Sequence, residues 1–142
     1  MSQNPLFSII VPVLNRGEYS KTLVDSLLNQ KEYRWEAILV DDGSVPEERD
    51  KWLAATSGDD RIELINRHRE PKGACACRNI GIEKAVGEYV VFLDCDDALG
   101  DSRCLWERLQ AVVKNRACDF VVSPTCLFMH IPGDKQILHN VS

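Results

Sequence analysis

The stretch Gly87-Glu88-Tyr89-Val90-Val91-Phe92-Leu93-Asp94-Cys95-Asp96-Asp97 constrains the fold more than any other part of the chain. Tyr89 to Leu93 carries no alternating polar position, which is how a strand buried on both faces of a parallel sheet reads. The run then stops on the carboxylates Asp94, Asp96 and Asp97. Open α/β sheets bind ligands at the carboxyl ends of their strands, so this strand end is a candidate site. Carboxylates held together repel, and at least one of their pKa values is expected to rise. Mg²⁺ or Mn²⁺ relieves such repulsion, taking hard oxygen ligands from one or two carboxylates and from substrate phosphates. An Asp-rich solvated turn has the same composition, and several folds use an apolar strand followed by D-x-D.

The same organisation recurs upstream. Phe7 to Leu14 is an apolar run ending at Asn15-Arg16-Gly17, with Pro12 near its end, where a missing N–H does least damage to a ladder. The period then turns helical, with Tyr19, Leu23 and Leu27 in one stripe flanked by Val24 and Leu28. Trp35 to Val40 forms a second strand ending at Asp41-Asp42-Gly43-Ser44. Here Ser44 is the expected helix N-cap, with Pro46 in the first turn. Arg61 to Arg67 alternates as a third, outer strand. A basic loop, Arg67 to Gly73, opens a helix over Ala74 to Val86. That helix is expected to bury Ile82, Ala85 and Val86 and to stop at Gly87. Its N-terminus, with Arg78 about one turn in, reads as a phosphate site or, more plainly, as surface charge beside a loop. Ser102 is the expected cap of a further helix carrying Leu105, Trp106, Leu109, Val112 and Val113, and a strand is expected from Asp119 through Val122. Thr125 to Ile131 and Lys135 to Leu138 read as two strands joined at Pro132-Gly133-Asp134.

Alternating strands and helices imply an α/β fold, a doubly wound, mostly parallel sheet with helices on both faces and right-handed crossovers. Every β-to-α loop of such a sheet lies along one edge. Asn15, Asp41, Asp42, the Gly73 loop and the Asp94–Asp97 cluster are therefore expected to meet there.

With 142 residues the chain is expected to form one domain. A net charge of -5 and a pI near 5.2 argue against a nucleic-acid partner. The polar start shows no signal peptide, and no apolar run reaches the length of a membrane span. A soluble, cytoplasmic protein is expected, working in solution or peripherally at the inner face of the membrane. The six cysteines then read as reduced thiols. Cys75 and Cys77 form a C-x-C pair without a second ligand pair for zinc. His68, His130 and His139 read as solvated or core imidazoles rather than as partners of a catalytic thiol.

Taken together, Ile10-Val11-Pro12-Val13-Leu14-Asn15, Leu39-Val40-Asp41-Asp42-Gly43-Ser44, Gly73-Ala74-Cys75-Ala76-Cys77-Arg78-Asn79-Ile80-Gly81 and the Gly87–Asp97 stretch resemble the nucleotide-binding half of a family 2 glycosyltransferase of the GT-A fold. The resemblance runs from Phe7 to about Val122. It implies transfer of a sugar from a nucleoside-diphosphate donor, UDP before others, to a hydroxyl of a saccharide or lipid-linked acceptor, with inversion. By the same resemblance, Pro12 and Leu14 line the nucleoside pocket beside Asn15, and an acid of the Asp41–Asp42 pair holds the base. Arg78 lies against the base or phosphates, Asp94 approaches the ribose, and Asp96 binds Mg²⁺ or Mn²⁺ bridging the diphosphate. Leu14 replaces a common aromatic, Cys77 a usual Ala, and Cys95 interrupts the acidic triplet.

The family's late acidic general base has no counterpart, since Asp119 and Asp134 are the only carboxylates after the last helix and neither stands in a matching motif. Without a base, transfer loses a factor of roughly 10²–10⁴. The chain is thus expected to be an incomplete domain lacking the acceptor-binding part, with homo-oligomerisation through apolar surface near Leu127, Phe128 and Met129. The competing readings are a nucleotide-sugar-binding fragment that does not turn over and a haloacid-dehalogenase-like phosphatase built on Asp94 and Asp96.

Overall fold

The computed structural model describes residues 4–68 and 70–121, and the backbone of 125–129 and 137–141. Strand β1 (Phe7–Val13) leads through a 3₁₀ turn (Gly17–Tyr19) into α1 (Ser20–Leu28), followed by β2 (Trp35–Asp41), α2 (Pro46–Thr56) and β3 (Ile62–Asn66). Next come α3 (Ala74–Lys84), β4 (Tyr89–Phe92), α4 (Cys104–Lys114) and the strands β5 (Thr125–Met129) and β6 (Ile137–Val141). The first four strands make one parallel sheet in the order β3-β2-β1-β4, with Ile10 opposite Ile38 on one side and Phe92 on the other. The two strands expected near the end pair as antiparallel β5–β6, Thr125 opposite Val141 and Met129 opposite Ile137, with β6 running to Val141 rather than stopping at Leu138; the turn expected at Pro132-Gly133-Asp134 lies outside the described residues. The side chains around Leu127, Phe128 and Met129, and all of Asp134, lie outside the described residues.

Pleating sends alternate residues of each strand to opposite faces. Phe7, Ile9, Val11 and Val13 join Trp35, Ala37 and Leu39 on one face, packed under Leu23, Val24 and Leu27 of α1, Trp52 of α2 and Leu105 of α4. On the other face Ile38 and Val40 meet Cys77 of α3, with Ile80 and Ala85 against them. The sheet is doubly wound, as the alternation of elements predicts.

Several local expectations fail for identifiable reasons. Strand β4 is half-buried rather than buried on both faces. Val90 and Phe92 are 42% and 51% exposed, because α3 packs on β1 and β2 and leaves that side of β4 open among the described residues. Helix α3 stops at Lys84 and turns Cys77 and Gly81 inward, so Ile82 and Val86 point to solvent. Gly87 lies beyond the helix end; a Cβ there would sit 2.7 Å from the Ser8 amide nitrogen, so close approach to β1 explains the glycine. Residues 119–121 form no strand, and Val122 lies outside the described residues. Ser102 does not cap α4, whose N-cap is Arg103; the Ser102 carbonyl instead accepts the Lys31 N–H at 2.8 Å.

A buried glutamine ties the segment after β4 to the rest of the fold. Gln30 Nε2 donates to the Asp101 carbonyl at 2.6 Å, and Gln30 Oε1 accepts the Leu105 N–H at 3.1 Å. The Leu99 N–H donates to Ser26 Oγ at 3.1 Å. These contacts fix the exit of the acidic loop against α1.

Candidate functional site

The carboxyl ends of β1, β2 and β4 and the start of α3 enclose a cleft of about 370 Å³. It is lined by Pro12, Leu14, Asp42, Arg78, Asp94 and Asp96, and also by Arg16, Gly73, Cys77 and Cys95. Residues up to 84 positions apart in sequence thus meet because parallel strands deliver every loop to one edge. Asn15 and Asp41, also expected at the site, are not among the lining residues.

The β2 end is internally satisfied. Asp41, 1% exposed, accepts the Ser44 N–H at 3.0 Å, the Ser44 hydroxyl at 2.5 Å and Arg49 Nε at 3.1 Å. Ser44 is accordingly no helix cap; α2 begins after Val45 without a side-chain cap. Asp42 accepts Arg67 Nη1 at 3.2 Å through one oxygen and the Gly73 N–H at 2.7 Å through the other. Arg67, which a polar basic loop presents as surface charge, is in fact 7% exposed. The first N–H of the α3 entrance is therefore already given to Asp42 rather than offered to a phosphate.

Asn15 clamps the β1 end to α2. Its backbone N–H donates to Ser44 Oγ at 2.7 Å, its side-chain oxygen accepts the Val45 N–H at 3.0 Å, and its carbonyl accepts Trp52 Nε1 at 2.8 Å. Asn15 and Arg16 both adopt φ of 55°, a left-handed conformation that costs a residue with a Cβ and favours Asn among them.

The β4 end is open. Asp94 accepts Arg78 Nη2 at 2.9 Å and Asp96 accepts Arg16 Nη1 at 3.2 Å, with the two carboxylate side chains 58% and 41% exposed. Asp97 is exposed as a residue, yet its carboxyl is pushed above the usual range, first by partial loss of water around it and then by the charges of Asp96 and Asp94. The expected rise in the cluster thus falls on Asp97. Burial, with Asp42 nearby, raises the Cys77 thiol, and burial raises that of Cys95. Both are held protonated and are poor nucleophiles. Asp119 lines a separate groove between β4 and α4 with Phe120 and Val121, not the cleft.

No cluster of three metal-ligating side chains occurs among the described residues. The donor set nevertheless fits a hard cation that arrives with a diphosphate, because such an ion needs only one or two carboxylates from the protein. Arg16, which lines the cleft and contacts Asp96, was not among the expected site residues. Its signal was a basic side chain directly after the first strand end, at the edge where the loops converge.

The sequence profile described as Glycosyl transferase family 2 matches residues 8–131, and the chain belongs to that family. TuaG of Bacillus subtilis strain 168, a glycosyltransferase named for teichuronic acid biosynthesis, is 36% identical over 116 residues, covering 82% of this chain and 45% of TuaG. The crystal structure of Staphylococcus aureus TarS 1-349 in complex with UDP-GlcNAc superposes with a TM-score of 0.69 at 25% identity, over 78% of this chain and 32% of that one. The mannosyltransferase PcManGT from Pyrobaculum calidifontis, in complex with GDP-Man and Mn²⁺, shares the fold at a TM-score of 0.68 and 19% identity, over 78% of this chain and 33% of that one. The chain thus spans less than half the length of each of these proteins.

Proposed function

We propose that this chain is the donor-binding half of an inverting glycosyltransferase that moves a sugar from a nucleoside diphosphate to an acceptor hydroxyl. The observation that carries the reading is the meeting of Pro12, Leu14, Asp42, Arg78, Asp94 and Asp96 on one cleft at the carboxyl edge of a parallel sheet. Pro12 and Leu14 offer apolar surface to the nucleoside. Asp42, held by Arg67 and Gly73, presents an acceptor edge for the N–H groups of a base, while Asp41 supports that strand end from behind. Asp94 accepts hydrogen bonds from ribose hydroxyls once Arg78 turns toward the phosphates.

Asp96 would hold Mg²⁺ or Mn²⁺, whose bound charge offsets that developing on the leaving diphosphate. The acceptor hydroxyl, on a saccharide or a lipid-linked sugar, loses its proton to a carboxylate outside this cleft. UDP is the favoured nucleotide, since TarS, the solved neighbour more similar in sequence, is bound to UDP-GlcNAc. No helix among the described residues is long and apolar enough to cross a membrane, which suits work in the cytoplasm or at a membrane face.

Calorimetric titration with UDP and GDP, with and without Mn²⁺, tests the reading. Metal-dependent binding that an Asp96→Asn chain loses is the expected result. A folded wild-type chain that binds neither nucleotide overturns it.

A further inference from the structure

We propose that Arg16 is a latch on Asp96: its guanidinium occupies the carboxylate that a divalent cation needs, so cation and arginine compete for one oxygen. This rests on the assignment of Asp96 as the metal-binding residue. The contact joins residues 80 positions apart, Arg16 Nη1 to Asp96 Oδ2 at 3.2 Å. It is a single contact rather than a bidentate fork, the weaker of the two arrangements. Both side chains are open to solvent, at 56% and 41% exposure, so an incoming ion reaches the carboxylate without unfolding anything.

The backbone of Arg16 is not free to drift. Asn15 before it is held by three hydrogen bonds to Ser44, Val45 and Trp52. Gly17 after it donates its N–H to Glu48 Oε2 at 2.5 Å. Between these anchors Arg16 is kept at φ 55°, ψ 36°, a conformation a residue with a Cβ seldom adopts unless its surroundings impose it. A strained backbone between two fixed flanks aims one cationic side chain at the acidic loop. None of the other arginines on strand-end acids reaches its carboxylate from a left-handed turn of this kind. Arg67 is buried with Asp42, Arg49 serves the buried Asp41, and Arg78 rides on α3 against Asp94. When a cation takes Asp96, Arg16 is released at the mouth of the same cleft, where a diphosphate supplies its next partner.

The test is a double-mutant cycle on Mn²⁺ affinity, read from the electron paramagnetic resonance signal of free Mn²⁺, with Mn²⁺ alone and with UDP added. The chains are wild type, Arg16→Asn, Asp96→Asn and the double variant, with Arg103→Gln, an exposed arginine paired with Glu107 outside the cleft lining, as a charge control. Asn tolerates the left-handed backbone while removing the charge, and Arg16→Gly repeats the measurement if Asn disturbs the turn. The latch predicts Mn²⁺ binding about two- to fivefold tighter in Arg16→Asn, the ratio an exposed ion pair supports. The gain vanishes when Asp96 is Asn. Unchanged affinity in Arg16→Asn and Arg16→Gly, with binding lost in Asp96→Asn, overturns the latch and leaves the metal assignment standing. An equal gain from Arg103→Gln reduces the effect to bulk charge and also overturns it. Binding that survives Asp96→Asn, or that is absent from wild type even with UDP, removes both claims.

Discussion

Two acidic strand ends face the same cleft and are built in opposite ways. At the end of β2, Asp41 and Asp42 are 1% and 5% exposed, and their oxygens are engaged by Ser44, Arg49, Arg67 and Gly73. At the end of β4, the carboxylates of Asp94 and Asp96 are 58% and 41% exposed and each accepts from one arginine, Arg78 and Arg16. The first pair is interior structure with one edge turned to the cleft. The second is exchangeable, because partners in water are given up at little cost. The difference separates what shapes the site from what a ligand can take over.

Removing a carboxylate from the closed end should therefore show in stability. Asp41→Ala deprives Ser44 and Arg49 of their acceptor in a buried setting, with an expected loss of roughly 3 kcal/mol. Urea denaturation measures it. A loss below about 0.5 kcal/mol, the range of an ordinary surface change, would erase the distinction between the two ends.

Asn15→Ala attacks the clamp that joins β1 to α2. It removes the acceptor for the Val45 N–H and places Ala at φ 55°, together costing about 1–2 kcal/mol in the same assay. Asn15→Gly keeps the backbone conformation accessible and recovers part of the loss.

The open end should respond the other way. Asp94→Asn and Asp96→Asn are expected to change stability by less than about 0.5 kcal/mol while weakening nucleotide binding, Asp96→Asn in its metal-dependent part. Stability losses matching that of Asp41→Ala would place both ends in the scaffold.

The smallest effects are pH dependences of opposite sign. Glu48, bonded first by Lys51 and then by the Gly17 N–H, has a lowered pKa in the folded chain. Its contribution is present above its ordinary value of 4.5 and fades as pH falls through the folded value. Asp97 is raised from 3.8, so the folded chain favours its protonated form; that contribution is complete below 3.8 and is lost as pH rises through the folded value. Asp97→Asn should thus stabilise the chain at neutral pH and do nothing near pH 3, whereas Glu48→Gln should destabilise it at neutral pH and progressively less in acid. Denaturation midpoints across pH 3 to 7 separate the two.

How much of this the sequence carried follows from the physics of each signal. Unbroken apolar runs ending in acids identify parallel strands, and parallel strands put their loops on one edge; so the meeting of Pro12, Leu14, Asp42, Arg78, Asp94 and Asp96 at that edge was legible. Burial on the second face of β4 was not, because Val90 and Phe92 look the same whether or not a helix covers them. A serine two residues before Pro46 satisfies the capping pattern, yet the nearer Asp41 carboxylate wins its hydroxyl. Arg67 and Arg16 are alike as basic loop residues, but one is buried against Asp42 and the other holds Asp96 in solvent. Only tertiary contact separates them.

Thermal unfolding of wild type and Asp96→Asn, each with and without Mn²⁺ and UDP, decides whether Asp96 belongs to a metal-dependent donor site. A ligand that binds only the folded chain raises its midpoint by mass action. Equal midpoints are expected without ligand, and an increase with Mn²⁺ and UDP in wild type alone. A low midpoint for Asp96→Asn without ligand, or an equal increase in both chains, would contradict it.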